Sequence, residues 1–164
     1  MDKDLLQQVY GKYSKEIYAY LFTLCRNRSL AEDLLQETFL KAILSLPNTH
    51  ENVRAWLYKV ARNLYFNYAR RSARELMEDA EPADNENAAE DAVLSKLREQ
   101  ALYGAIMNLD GVKREVIMLQ YFSALPQKEI GAILGISPEN VRVLSYRAKK
   151  ELKKSMEDDG YDLP

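Results

Sequence analysis

The sequence predicts an all-α protein, built as two small helical domains joined by a flexible acidic linker. Apolar residues recur at three- and four-residue steps through most of the chain, the period of a helix that buries one face. Glycine and proline, which break helices, supply only 6 and 5 of 164 residues. Charge is also divided along the chain: residues 1–76 hold 12 basic against 8 acidic side chains, residues 77–99 hold 2 against 8, and residues 100–164 balance at 9 each. Two helical bodies at 1–76 and 92–164 thus flank an acidic segment at 77–91.

The first helix is expected from Asp4 to about Arg26, with Leu5, Val9, Tyr13, Ile17, Tyr20, Leu21 and Leu24 inward. Ser29 is placed as the cap of a second helix, Leu30 to Leu44. That helix is apolar on two sides. Ala31, Leu35, Phe39 and Ala42 make one, while Leu40 and Leu44 lie beside Asp33, Gln36 and Glu37 on another and need a partner. The stretch SLPNTHEN, 45–52, reads as a loop. A long helix follows from about Val53 to Glu75, with Val53, Leu57, Val60, Ala61, Leu64 and Tyr68 inward. A separate arc holds Trp56, Lys59, Asn63, Phe66, Asn67, Arg70 and Arg74. Cations hold phosphates and unstacked bases lie on rings, so this mixture suits single-stranded DNA; Trp56 and Phe66 equally fit a second packing surface.

Met77 to Ala89 has low hydrophobicity and dense acid, the composition of a linker. Beyond it Val93, Leu97, Ala101, Leu102, Ile106 and Leu109 mark another helix. After a break at Asp110 and Gly111, Val112 to Phe122 is a further helix whose Val116, Leu119 and Phe122 face the next unit.

Leu125 to Leu152 reads as a helix-turn-helix. Pro126 takes the first helical position, Ile130, Ile133 and Leu134 are inward, and Gly135 supplies the turn. Ser137 caps the second helix, with Pro138 behind it. On that helix Val141, Ser145, Ala148 and Leu152 share a packing face opposite Arg142, Val143, Tyr146, Arg147, Lys149, Lys150 and Lys153. Such a helix fits the major groove, where Arg142 and Arg147 offer bidentate donors to guanine and Tyr146 meets bases or sugar. The tail SMEDDGYDLP is expected to fray.

Enzyme chemistry has little to stand on. The one cysteine, Cys25, ends an apolar run and reads as a buried small hydrophobe; the one histidine, His50, is distant from it in sequence. No phosphate-binding glycine loop, nucleophile elbow or HExxH pair is present. No metal or cofactor is expected. With no run of about 18 apolar residues and no basic-then-apolar leader, direct membrane insertion is not expected and the cytoplasm is.

Three segments together resemble the bacterial extracytoplasmic-function (ECF) sigma factors of RNA polymerase: AEDLLQETFLKA at 31–42, VRAWLYKVARNLYFNYARR at 53–71 and KEIGAILGISPENVRVLSYRAKKEL at 128–152. The resemblance implies an alternative sigma factor, monomeric when free, that joins core polymerase and directs it to promoters. It implies that Asp33, Gln36, Glu37 and Leu40 meet the clamp coiled coil of the β′ subunit, with the β flap as a further contact. By the same resemblance, the loop Leu46 to Asn52, through Asn48 and Asn52, would capture a flipped base of the minus-10 element, and Trp56, Lys59, Arg62, Asn63, Phe66, Asn67 and Arg70 would hold the opening strand. Ser137, Glu139, Asn140, Arg142, Val143, Tyr146, Arg147 and Lys150 would meet the minus-35 duplex. An anti-sigma factor is a further implied partner. The chain departs from the family at Asn67, commonly Asp, at Gly131, commonly Ala, and at Ser145, commonly apolar, where Leu144 is placed to compensate. The alternatives are a helix-turn-helix regulator of duplex DNA that never joins polymerase, and a protein-interaction module.

Overall fold

The computed structural model describes residues 3–45, 52–75 and 94–161. The acidic segment 77–91, the loop residues 46–51 with Asn48, and Val93 lie outside the described residues. Chain packing forms two units, Met1–Glu86 and Asn87–Pro164. Their described residues are helical, with no strand among them.

The first unit packs three helices pairwise: α1 (Lys3–Cys25), α2 (Arg28–Ser45) and α3 (Val53–Glu75). Ile17, Tyr20, Leu21 and Leu24 of α1 meet Ala31, Leu35, Phe39 and Ala42 of α2 and Leu57, Tyr58, Ala61 and Leu64 of α3 in the buried interior. Between α1 and α2 the chain reverses through Arg26 at φ 53, and the Asn27 Oδ1 accepts the Leu30 N–H at 3.1 Å. Asn27 is therefore the cap, and the expectation for Ser29 is corrected: α2 begins one residue before Ser29. Tyr68, expected inward, is instead exposed, because burial along α3 ends at Leu64 and the remaining turns lack a covering helix. Tyr58, which the pattern omitted, is fully buried against Tyr20, ring centroids 5.2 Å apart. Arg54 fastens the start of α3 to α1, its Nε donating to Glu16 Oε1 at 2.5 Å.

The second unit comprises α4 (Leu94–Asn108), α5 (Gly111–Ile117), a π-helical turn (Met118–Phe122), α6 (Gln127–Leu134) and α7 (Pro138–Asp158). Asp110 caps α5 by accepting the Lys113 N–H. Leu102, expected inward, lies exposed, while Ala105, Ile106 and Met107 are buried. Phe122 is likewise corrected: at 64% exposure it does not face the helix-turn-helix. The π turn inserts an extra residue per turn, so the α-helical spacing from Val116 and Leu119 no longer carries to Phe122.

Pro126 stands one place earlier than expected, as the extended N-cap of α6 at ψ 157. Gly135 at φ 72 ends α6 in the left-handed conformation that glycine adopts without penalty. Gly131, where the family commonly has Ala, has a steric reason. A Cβ built there would stand 2.6 Å from the Ile136 carbonyl oxygen, so the turn closes only over a glycine.

Buried Ser145 also has a reason. Its hydroxyl donates to Gln120 Oε1 at 2.6 Å, so the π turn supplies its polar partner, and Leu144 is only half-buried. The tail residues up to Tyr161 are ordered rather than frayed as expected, and residues 162–164 lie outside the described residues. The Tyr161 N–H donates to the Met156 carbonyl and the Gly160 N–H to that of Glu157, with Gly160 at φ 89. This is a Schellman stop. Met156 is fully buried with Leu152, Ala148 and Ile106, and Tyr161 packs against the same cluster.

Candidate functional site

Each predicted interface can be assembled from its helix. On α2, Asp33, Gln36, Glu37 and Leu40 are all exposed on one stripe, and Leu44 continues it at 75% exposure. From Asp33 to Leu44 such a ridge runs roughly 16 Å along the helix axis. Carboxylates of Asp33 and Glu37 rim the two exposed leucines. Leu44 and the neighbouring Ile43, exposed beside the predicted set, extend it.

On α3, Lys59, Asn63, Phe66, Asn67 and Arg70 are exposed, with Trp56 and Arg62 half-buried. The Arg62 guanidinium lies over one face of the Phe66 ring at 4.5 Å, and Tyr65 meets that ring edge-on at 5.2 Å. Phe66 is thereby held as a fixed aromatic surface, and a base could stack on the side away from Arg62. Arg70 Nη2 donates to Asn67 Oδ1, which leaves the Asn67 amide nitrogen to donate outward. Asn52 has a structural task the sequence did not show: its Oδ1 accepts the Ala55 N–H at 3.0 Å and caps α3. Asn48 lies outside the described residues.

On α7, Ser137 Oγ accepts the Asn140 N–H at 3.1 Å, which fixes the first turn. Glu139, Asn140, Arg142, Val143, Tyr146, Arg147 and Lys150 then project from exposed positions, while Val141, Ser145, Ala148 and Leu152 are buried. The pattern splits the helix as expected. Arginine suits guanine, asparagine adenine and glutamate the cytosine amine, so this face carries the chemistry to tell bases apart in a major groove. Lys149, beside this face, lies 5.0 Å above the ring of Tyr121, which the π turn sets outward.

The electrostatics outside these faces are quiet. Cys25, expected buried, is only half-buried at the end of α1; what burial it has pushes its thiol pKa above the usual range, and Sγ donates to the Asn27 carbonyl at 3.3 Å. Among the described residues no group of histidine, cysteine or carboxylate side chains could hold a metal ion, and no helix is long and apolar enough to cross a membrane.

Known proteins match both units. The family model for Sigma-70 region 2 matches residues 9–75, and that for Sigma-70, region 4 matches residues 99–152. The ECF RNA polymerase sigma factor SigM of Bacillus subtilis is 31% identical over 151 residues, covering 90% of this chain and 93% of SigM. The RNA polymerase sigma factor YlaC of the same organism is 31% identical over 163 residues, covering 94% and 93%. In fold, the chain is similar to the sigma factor RpoE, solved in complex with the anti-sigma factor NepR from Bartonella quintana. The TM-score is 0.73 at 23% identity, over 95% of this chain and 98% of that one.

Proposed function

The chain belongs to the ECF RNA polymerase sigma factors, and from that premise we propose how its two units divide the work of promoter recognition. As an alternative sigma factor it binds core RNA polymerase and directs promoter-specific initiation. The α2 ridge of Asp33, Gln36, Glu37 and Leu40 docks on the β′ clamp coiled coil, and the second unit reaches the β flap. The exposed face of α7 reads the minus-35 duplex through Arg142, Tyr146 and Arg147. Trp56, Lys59, Asn63, Phe66 and Arg70, with the loop that ends at Asn52, take the minus-10 strand as it unstacks. Flipping a base costs a few kcal/mol, which stacking at about 1 to 3 kcal/mol per ring and the phosphate contacts offset.

The observation that carries this reading is the pairing on one chain of an acid-and-leucine ridge with a separate cation-and-ring face in the first unit. A regulator that only bound duplex DNA through α7 would need neither. Sigma factors regulate rather than catalyse, and no reaction is assigned to this chain. Work on polymerase places it in the cytoplasm, with an anti-sigma factor as the regulating partner. Residues 77–91 are the linker between the two functions.

Permanganate footprinting of promoter complexes tests the division. The Lys59→Ala, Asn63→Ala, Arg70→Ala triple variant is expected to assemble with core polymerase yet lose most thymine reactivity across the minus-10 element. Undiminished reactivity would remove α3 from strand capture.

A further inference from the structure

The family match ends at residue 152, but α7 runs on to Asp158. The added turns are anchored, since Met156 is fully buried and the Schellman stop with Tyr161 closes the helix. They carry Lys153 and Lys154, both exposed, in register with Arg147 and Lys150. Together these four side chains line one wall of a groove of ≈ 580 Å³, with Lys113 of α5 across from them. Lys113 is held in place by ion pairs to Glu151 and to Asp110, the latter at 3.5 Å, and the Glu151 carboxylate raises its ammonium pKa above the usual lysine range.

The groove is strongly cationic. With Lys113 paired to Glu151 and Asp110, four cations, Arg147, Lys150, Lys153 and Lys154, remain against Glu157. Among the described residues Arg147, Lys150, Lys153 and Lys154 form no salt bridge. The ligand that suits a row of unneutralised cations along an open groove is a polyanion.

Scale identifies which part of the polyanion. Arg142 and Lys154 are 12 residues apart, roughly 18 Å along a helix axis, whereas the B-DNA major groove is about 12 Å wide. A helix whose first turns reach base edges therefore carries its later turns over the phosphates at the groove's border. Resting on the reading of α7 as the minus-35 helix, we infer that the groove between α5 and the C-terminal half of α7 is a second DNA-binding surface. It clamps the sugar-phosphate backbone beside the minus-35 element, with Lys153 and Lys154 as phosphate-binding residues beyond the stretch matched to region 4. Lys153 and Lys154 add affinity without reading sequence, beyond the turns from which Arg142, Tyr146 and Arg147 read bases.

Holoenzyme assembled from the full chain and core polymerase is titrated with a promoter duplex selected by that holoenzyme from random sequence, and with the same duplex altered at minus-35. Each lost phosphate contact lowers the slope of log K against log salt by about 0.9. The Lys153→Ala, Lys154→Ala variant is expected to show a slope shallower by about 2. Its affinity deficit should therefore shrink roughly tenfold between about 50 and 200 mM salt. The minus-35 preference should be unchanged, and Lys→Arg at both positions should restore the wild-type slope. Arg142→Ala should instead change the preference among minus-35 sequences. If the alanine variant keeps the wild-type slope while wild-type holoenzyme selects promoters, the groove does not bind DNA and only this inference falls. It falls equally if the variant's loss is in polymerase assembly, or if arginine fails to rescue. If wild-type holoenzyme selects no promoter, the reading of α7 falls and takes the groove with it.

Discussion

The hydroxyl of Ser145, on the packing face of α7, donates to Gln120 Oε1 in the π turn at 2.6 Å. A polar side chain sits among apolar neighbours only because a second element brings it an acceptor. Ser145→Ala strands the Gln120 oxygen and is expected to lower stability by about 1 to 2 kcal/mol. Adding Gln120→Leu removes the orphan, so the double variant should recover part of the loss. Urea unfolding of the four proteins in a double-mutant cycle checks this, and additive losses would mean the two side chains are not coupled.

Two helical glycines should respond oppositely to alanine. At Gly131 the new methyl meets the Ile136 backbone oxygen, whereas at Gly104 nothing stands within 4 Å. Gly104→Ala is expected to stabilise by about 0.5 to 1 kcal/mol, since it only stiffens the unfolded chain and favours helix. Gly131→Ala gains the same preference but must displace backbone, and a net loss of about 1 to 3 kcal/mol is expected. Thermal melts separate the signs.

The end of α7 should be a stabilising element. Met156→Ala opens a cavity in the second unit and is expected to cost about 2 to 5 kcal/mol. Gly160→Ala forces a methyl-bearing residue to keep φ 89, at about 1 to 2 kcal/mol. A frayed tail would tolerate both changes without a measurable shift in urea midpoint.

Cys25 gives a pH test. Burial raises its pKa in the folded chain, so the protonated thiol is the form that folding favours. Its stability contribution is therefore full below the unfolded thiol's value of about 8.5 and is lost as pH rises past it. Relative to Cys25→Ala, the wild-type chain should lose stability as pH rises above the unfolded thiol's range. Disulfide-exchange reagents at pH 8 should label folded Cys25 more slowly than the urea-unfolded chain; equal rates would contradict its half-buried, hydrogen-bonded state.

Much of this architecture is legible from side-chain periodicity. The buried set Ile17, Leu21, Ala31, Leu35, Leu57, Ala61, Val141 and Ala148 follows from spacing alone, and Ser137 and Gly135 mark their cap and turn by type. What spacing misses depends on partners distant in sequence. Phe122 falls on the inward side of an α-helix that becomes a π turn, and Tyr68 continues a stripe beyond the helices that cover it. Gly131 reads as a weak helix residue, and only the folding back of Ile136 over it gives it a purpose. The acidic letters after Lys154 hide a buried Met156 and an ordered stop. At the candidate interfaces the residue types are readable because they are exposed on one helix each. The hold of Arg62 on Phe66 and the capping role of Asn52 depend on side-chain geometry that no spacing rule supplies.

That one chain both joins polymerase and selects promoters is tested most directly by run-off transcription. Purified core polymerase is run on genomic fragments with and without the full chain, and with the Asp33→Ala, Glu37→Ala, Leu40→Ala variant. Discrete, chain-dependent 5′ ends that share upstream elements are predicted, and the variant should lose them together with its binding to core. No chain-dependent transcript, from a protein that still binds core polymerase, would contradict the claim.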